Sequence, residues 1–305
     1  MSVVIPVLDE RDALPVLRER LDAALAKAEV KTEYVFVDDG STDGSTELIR
    51  EWAQTEPGVV LVRLSRNFGM EIAMSAGVDH ATGDYVVLMH ADLQDPPELV
   101  PEMLEKARAG ADVVYARRIG SDESHTKRVL ATAFYGLMRR LARVPYQGQA
   151  GDFRLMSKRV VDTVRTMPER RRFLRGMVAW VGFDQVPIDY RRAGRRSGRG
   201  ASYPDLIRLG AEAFTSFSDV PLGLATFFGL LVAILTAAGA LVLALLAAVG
   251  LVTASISTWI LVTVMFVGGV QLVSIGILGR YMARVHEQVL RRPLYVTSEV
   301  VRNTD

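Results

Sequence analysis

The chain has 305 residues, 50% of them hydrophobic and 23% charged, with no cysteine and a formal net charge of +1. This length and composition allow one large domain or two ordinary ones around a sizeable core, and exclude a disordered chain or a fibre. Without cysteine there is no disulfide scaffold, cysteine-ligated zinc, iron–sulfur cluster or thiol nucleophile. The neutral total hides a segregation. Residues 1–100 carry 8 Lys and Arg against 19 Asp and Glu, whereas residues 101–210 carry 23 against 11.

In chain order, short apolar runs alternate with stretches of helical period. Val3–Val7 reads as a strand, Ala13–Ala28 as a helix and Tyr34–Val37 as a strand. Ser45–Gln54 is a helix with Ser41 and Thr42 as candidate caps, followed by a strand at Val59–Leu64 and a helix at Glu71–His80. Tyr85–Met89, Pro97–Ala109 and Asp112–Ala116 continue the pattern as strand, helix and strand. Strands separated by helices imply right-handed crossovers and a mainly parallel sheet with helices on both faces. Ligands of such sheets bind at the carboxyl ends of the strands. Polar residues collect there: Asp9 and Glu10, Asp38 and Asp39, Ser65–Asn67, then His90, Asp92, Gln94 and Asp95. Neither a dinucleotide fingerprint nor a P-loop sequence occurs.

Beyond the sheet, Lys127–Val144 and Asp205–Phe217 are amphipathic with basic rims, a pattern of interfacial helices on a bilayer; helices packed on the soluble core remain the alternative. Arg117–His125, just before the first of them, is polar and contains Gly120, as a loop over a site would. From Val220 to Gly279 there is no Asp, Glu, Lys, Arg or His. One crossing needs ~20 apolar residues, so two spans are expected near Leu222–Leu251 and Ile256–Tyr281, divided by Thr253–Thr258. Basic residues flank the pair (Arg191, Arg192, Arg195, Arg196, Arg199 and Arg208 before; Arg280, Arg284, Arg291 and Arg292 after), and the loop between the spans has none. The positive-inside rule places residues 1–219 and a tail of residues 282–305 in the cytoplasm. No basic segment precedes the first apolar run, so no signal peptide is expected. Gly268, Gly269, Gly276 and Gly279 are a weak signal for packing of spans within a homo-oligomer.

Eight segments, in this order, resemble one family: VVIPVLDE (Val3–Glu10), VFVDDGSTDGS (Val35–Ser45), LSRNFGM (Leu64–Met70), HADLQDPPE (His90–Glu98), GDFRLMS (Gly151–Ser157), FLRGMVAWVGF (Phe173–Phe183), RRAGRRSGRGASY (Arg191–Tyr203) and GRYMARVHEQVLRRPLY (Gly279–Tyr295). The first four are similar to family 2 glycosyltransferases. The rest narrow the likeness to polyprenyl-phosphate glycosyltransferases such as dolichyl-phosphate mannose synthases and undecaprenyl-phosphate glucosyltransferases. The resemblance implies a GT-A, Rossmann-like fold and an inverting transfer of one sugar from a nucleoside-diphosphate sugar to a polyprenyl phosphate at the cytoplasmic membrane face. The product then serves cell-envelope glycan or glycolipid modification. It also implies a divalent metal, Mg²⁺ or Mn²⁺, which suits oxygen ligands on a diphosphate.

Residue by residue, the likeness assigns Pro6, Leu8, Glu10, Asp39 and Asp92 to the nucleotide sugar, with Asp38 supporting the turn. Asp92 and Gln94, on alternate positions past a strand end, would face one metal ion. Where the family motif D-x-D-x-Q has its first acid, this chain has His90. An imidazole suits Mn²⁺ better than Mg²⁺. Three readings stay open: His90 as metal ligand, His90 as a supporting or ribose contact, and a weakened nucleotide-binding membrane scaffold. Asp152 corresponds to the proposed catalytic carboxylate. Arg154, Arg175, Arg191, Arg195, Ser197 and Tyr203 are the candidates for holding phosphates, guanidinium being a bidentate partner for phosphate oxygens. The alternative for the Arg191–Arg199 cluster is a juxtamembrane anchor to anionic lipid. Nucleic acid is not expected beside two spans and an acid-lined cleft. A processive synthase would show Q-x-x-R-W and more spans. A UDP donor is favoured; the sugar is not identified.

Overall fold

The computed structural model describes residues 1–26, 28, 30–119, 150–169, 172–190, separate helical positions between 231 and 249, 255–290 and 292–303. The strands are β1 (Ser2–Val7), β2 (Glu33–Asp38), β3 (Val59–Leu64), β4 (Tyr85–Leu88), β5 (Val113–Arg118), β6 (Ala150–Ser157), β7 (Gln185–Tyr190) and β8 (Thr297–Arg302). The helices are α1 (Ala13–Leu25), α2 (Ser45–Thr55), α3 (Met70–His80), α4 (Val100–Arg108), α5 (Lys158–Thr166), α6 (Leu174–Val181) and α7 (Ile256–Val289). Among the described residues, the strands form one eight-stranded sheet in the order β7-β5-β6-β4-β1-β2-β3-β8.

Alternation along the strands builds two cores. Val3, Ile5 and Val7 of β1, with Tyr34 and Phe36 of β2, pack under α1, α2 and α4. Val4, Val35 and Val37 face the other way, under α3, α5 and α6. Burial of both faces explains why β1 reads as a continuous apolar run. The sheet is mainly parallel: β1 pairs with β2 and β4, β2 with β3, and β5 with β7 in parallel. Two strands run backwards. β6 lies antiparallel between β4 and β5, and β8 is antiparallel on the β3 edge.

Several expected boundaries shift for physical reasons. α1 ends at Leu25 rather than Ala28 because its buried stripe of Leu14, Leu17, Leu21 and Leu25 runs out there. The expected helix from Pro97 begins as a 3₁₀ turn, Pro97–Leu99, before α4. Pro101 has no N–H to bond back to Pro97, so the first turn closes through Val100 instead. Ser41 and Thr42 do not cap α2; Gly44 stands at its N-cap with no side-chain cap. β5 extends to Arg118 because β7 pairs with it up to the Arg118–Tyr190 register. The tail is not a free end. β8 covers β3, Arg50 donates to both Glu299 carboxylate oxygens at 3.1 and 2.8 Å, and the Tyr295 hydroxyl donates to Asp79 at 3.1 Å.

The described residues up to Tyr190, together with Arg292–Asn303, form one compact unit, and those from 231 to 290 a second. The amphipathic segments 127–144 and 205–217 and most of the first expected span lie outside the described residues. α7 is 34 residues long, and its sequence from Ile256 to Gly279 has no charged residue. Among the described residues, no helix is long and apolar enough to cross a membrane. A Cβ added at Gly268, Gly276 or Gly279 would meet nothing within 4 Å.

Candidate active site

The carboxyl edge of the parallel strands is laced together by its own acids. Asp9, in the left-handed region at φ 54°, accepts the Thr42 N–H at 2.7 Å, and its own N–H donates to Ser41 Oγ at 3.1 Å. Asp38, inaccessible to solvent, accepts the Ser41 N–H at 2.9 Å and the Thr46 hydroxyl at 2.6 Å. It therefore supports the turn, as expected. Asp43 accepts from the Ser45 N–H and hydroxyl and from the Arg11 N–H, so it too builds the turn. Asp39 accepts the Phe68 N–H at 2.7 Å and the Gly69 N–H at 2.9 Å, one on each oxygen. Burial pushes its pKa up against those two amides, which pull it down. The observed partners of Asp39 are thus the backbone of the third loop.

Pro6 is buried within β1, Leu8 is exposed and Glu10 half-buried just beyond it. Burial raises the Glu10 pKa, and the negative charges of Asp92, Asp43 and Asp9 add to the shift. The ends of β1 and β4 therefore share one electrostatic neighbourhood. The segment after β4 is not extended. Leu93 has φ 58°, and the Gln94 N–H turns back to donate to Asp92 Oδ1 at 3.1 Å. Alternate positions on an extended chain consequently do not describe Asp92 and Gln94, and Gln94 is buried. Among the described residues, no group of three or more His, Asp or Glu could hold a metal ion.

The strongest cluster centres on Asp152. The β4–β6 register pairs Leu88 with Arg154, so His90, two residues past Leu88, meets Asp152, two residues before Arg154. His90 Nε2 lies 3.3 Å from Asp152 Oδ2. Arg175, in the first turn of α6, donates from Nε and Nη2 to the two Asp152 oxygens, both at 2.8 Å. Arg154 is buried at 4% exposure and donates to the carbonyls of Gly151 at 2.8 Å and Asp152 at 3.3 Å. The His90 N–H donates to Asp95 at 3.2 Å, and the Tyr190 hydroxyl donates to the other Asp95 oxygen at 3.5 Å. Asp95 and Tyr190 thereby buttress His90 from behind.

The charges follow from this packing. Burial alone would raise the Asp152 pKa, but the hydrogen bond from His90 and the positive fields of Arg175, His90 and Arg154 hold its carboxyl well below the usual range. Burial would lower the His90 pKa, yet the bond to Asp152 and the charges of Asp95, Asp152 and Asp92 raise it overall. Asp152 is therefore an anion at neutral pH, clamped between the Arg175 guanidinium and the His90 imidazole.

Of the residues singled out in the sequence, the fold brings His90, Asp152, Arg154 and Arg175 together, and sets Glu10 near Asp92. Arg191, Arg195, Ser197 and Tyr203 lie outside the described residues. Glu71 carries a contact that no motif or spacing in the chain foretells. Its Oε2 accepts the Leu174 N–H at 3.0 Å, where α6 begins. An acid in the first turn of a helix reads as ordinary dipole pairing, which concealed its reach to a second helix.

A family model, glycosyl transferase family 2, matches residues 2–165, from β1 to the end of α5. An uncharacterized glycosyltransferase of Synechocystis is 39% identical over 302 residues, covering 98% of this chain and 95% of its own. The SfII prophage-derived bactoprenol glucosyl transferase of Shigella flexneri is 38% identical over 298 residues, 97% of this chain and 96% of its own. A prophage bactoprenol glucosyl transferase homolog of Escherichia coli is 37% identical over 302 residues, covering 98% and 99%.

Proposed function

This chain belongs to glycosyl transferase family 2, and from that premise we propose that it moves one sugar, with inversion, from a UDP-sugar to a polyprenyl phosphate at the cytoplasmic face of a membrane. Glycosyl transfer follows from the family. The acceptor reading is supported by full-length relatives named as bactoprenol glucosyl transferases, and the membrane reading by the uncharged run Val220–Gly279 with its basic flanks. The observation that carries the proposal is the anionic Asp152 held between Arg175 and His90 at the sheet edge where the strand-end acids collect.

In this reading the donor diphosphate lies along the loops after β1, β2 and β4, and the acceptor phosphate approaches Asp152 and Arg175. A phosphate monoester has its second pKa near ~6 and is largely dianionic at neutral pH. It needs little help from a base, and a carboxyl held as low as that of Asp152 is a weak one. Asp152 instead fixes the guanidinium of Arg175 by accepting from its Nε and Nη2, so that this positive charge stands where the acceptor phosphate approaches and orients it towards the anomeric carbon. Inversion then requires one displacement and no covalent enzyme intermediate. Arg154 and Arg175 supply fixed positive charge where negative charge gathers.

The donor set also fits a phosphate-bound divalent cation. Such ions use one or two carboxylates and complete their shells with phosphate and water. Asp92, with Gln94 beside it, would hold the ion, which would neutralise the departing diphosphate. His90 is already committed to Asp152 at 3.3 Å, which favours a supporting role over ligation.

The test offers undecaprenyl phosphate and a panel of UDP- and GDP-sugars, with Mg²⁺ or Mn²⁺, to the detergent-solubilised full chain and to His90→Asp. Turnover by the native protein with a UDP-sugar is the expected result. Activity only in His90→Asp would replace the proposal with the scaffold reading.

A further inference from the structure

We propose that Glu71 is a positioning residue for sugar transfer: from α3 it caps the N-terminus of α6 and thereby aims Arg175 at Asp152. The proposal rests on the transferase reading above and adds to it a residue outside the donor and acceptor contacts.

The need for such a residue lies in α6 itself. The first N–H groups of a helix have no partner within it, and a side chain at the N-cap ordinarily supplies one. Here the N-cap is Phe173, at φ −131° and ψ 82°, which makes no side-chain cap hydrogen bond. Its ring instead lies under the Arg175 guanidinium, 5.6 Å from ring centre to Cζ. The carbonyl of Phe173 already closes the first turn, accepting from the Gly176 and Met177 N–H groups at 2.9 and 3.0 Å. The Leu174 N–H is satisfied from elsewhere, by the carboxylate of Glu71, a residue 103 positions earlier. A carboxylate at that place also meets the positive end of the α6 dipole.

Arg175 is the next residue along. Any drift in the first turn of α6 is transmitted directly to its bidentate grip on Asp152. Glu71 is itself held in place. Asp39 fixes the Phe68 and Gly69 N–H groups immediately before α3, and α3 packs into the core through Ala73, Met74, Ala76 and Val78. A continuous chain of contacts thus runs from the end of β2 to the Asp152 carboxylate. Alternation along β6 puts Asp152 and Arg154 on the same face as Met156, which belongs to the core shared with α3 and α6, so all the parts lie on one side of the sheet. Burial raises the Glu71 pKa, and the charge of Asp152 adds to it, against the Leu174 N–H and the two arginines.

The test compares the native full chain with Glu71→Ala and Glu71→Gln by hydrogen exchange at the α6 amides and by transfer kinetics. The glutamine oxygen can still accept from Leu174; alanine cannot. In Glu71→Ala, exchange at Leu174–Met177 is expected to quicken roughly fivefold, as loss of a cap implies. Elsewhere in the sheet it should be unchanged. The kcat should fall about tenfold with the donor KM within about twofold, and Glu71→Gln should recover both readouts. Unchanged α6 exchange in the alanine variant, or equal loss in the glutamine variant, overturns the proposal. The exchange arm reads the cap even if no donor is turned over, so failure of the transferase reading is distinguishable from failure of this one.

Discussion

His90 and Asp152 stand opposite each other because β6 runs antiparallel to β4: the ladder pairs Leu88 with Arg154, and the next matched positions, two residues on, bring His90 Nε2 to 3.3 Å from Asp152 Oδ2. The histidine that stands where the likeness expects an acid therefore faces the Asp152 carboxylate. An aspartate at position 90 would set two like charges across the same gap, and the imidazole converts that repulsion into a pair.

Asp152→Asn should lower transfer by about 100-fold or more, within the range for removing one charge from a preorganised site. The amide keeps the shape but loses the charge that gathers Arg175 and His90, and UDP binding by calorimetry should stay within about twofold. Retained transfer would remove Asp152 from the reaction.

The His90–Asp152 pair should make stability depend on pH in a defined direction. His90 has a raised pKa in the folded chain, against ~6.5 for a free histidine. Its contribution is therefore fully present below ~6.5 and is lost as pH rises through the folded value. Asp152 works in the other direction: its depressed pKa contributes stability above ~3.9 that is lost only as pH falls towards the folded value. Thermal midpoints of native and His90→Gln protein should differ most at pH 6 and converge as pH rises through the folded His90 value. A difference that grows with pH would contradict the assignment.

Deleting residues 296–305 removes β8 and opens the β3 edge. The ladder from Val60–Arg302 to Leu64–Thr297 and the Arg50–Glu299 pair go with it. At ~0.2–1 kcal/mol per cross-strand pair, the loss should be about 2–4 kcal/mol. An exposed edge also invites association. A lowered thermal midpoint with concentration-dependent aggregation is expected, and an unaltered midpoint would show the strand to be dispensable.

Gly77→Ala should destabilise the sheet although alanine is the better helix former. A Cβ there would run into Val4 Cγ1 and come within 3.0 Å of Val37 Cγ2, and neither valine exposes any surface. Overpacking of about 1–3 kcal/mol should exceed the ~1 kcal/mol gained in propensity, read as a lowered denaturation midpoint.

Much of this could be read before folding. Continuous β-branched runs such as Val3–Val7 and Val59–Leu64 announce strands buried on both faces, and their spacing with helices announces the parallel sheet. The family likeness also marked Asp38 as the support of its turn. β6 was harder. Gly151–Ser157 is short, and its polar Asp152 and Arg154 alternate with the buried Phe153 and Leu155, so nothing local says that it slots between β4 and β5 in reverse. β8 looks like a polar tail because only alternate residues of an edge strand are covered. The fold of the segment after β4 was illegible too, since a leucine at positive φ leaves no mark in composition.

By itself the sequence determined which side chains arrive at the carboxyl edge of the parallel strands, because the ends of those strands are fixed by periodicity. Asp39, His90 and Asp92 reach that edge by local rules acting over a few residues, whereas Asp152 arrives there only because β6 runs back between β4 and β5. The tertiary structure decided which of them meet. His90 faces Asp152 through the register of two strands more than sixty residues apart, and Glu71 reaches the Leu174 amide across two helices. Contacts of that kind depend on how rigid elements pack, and no pattern within one segment encodes them.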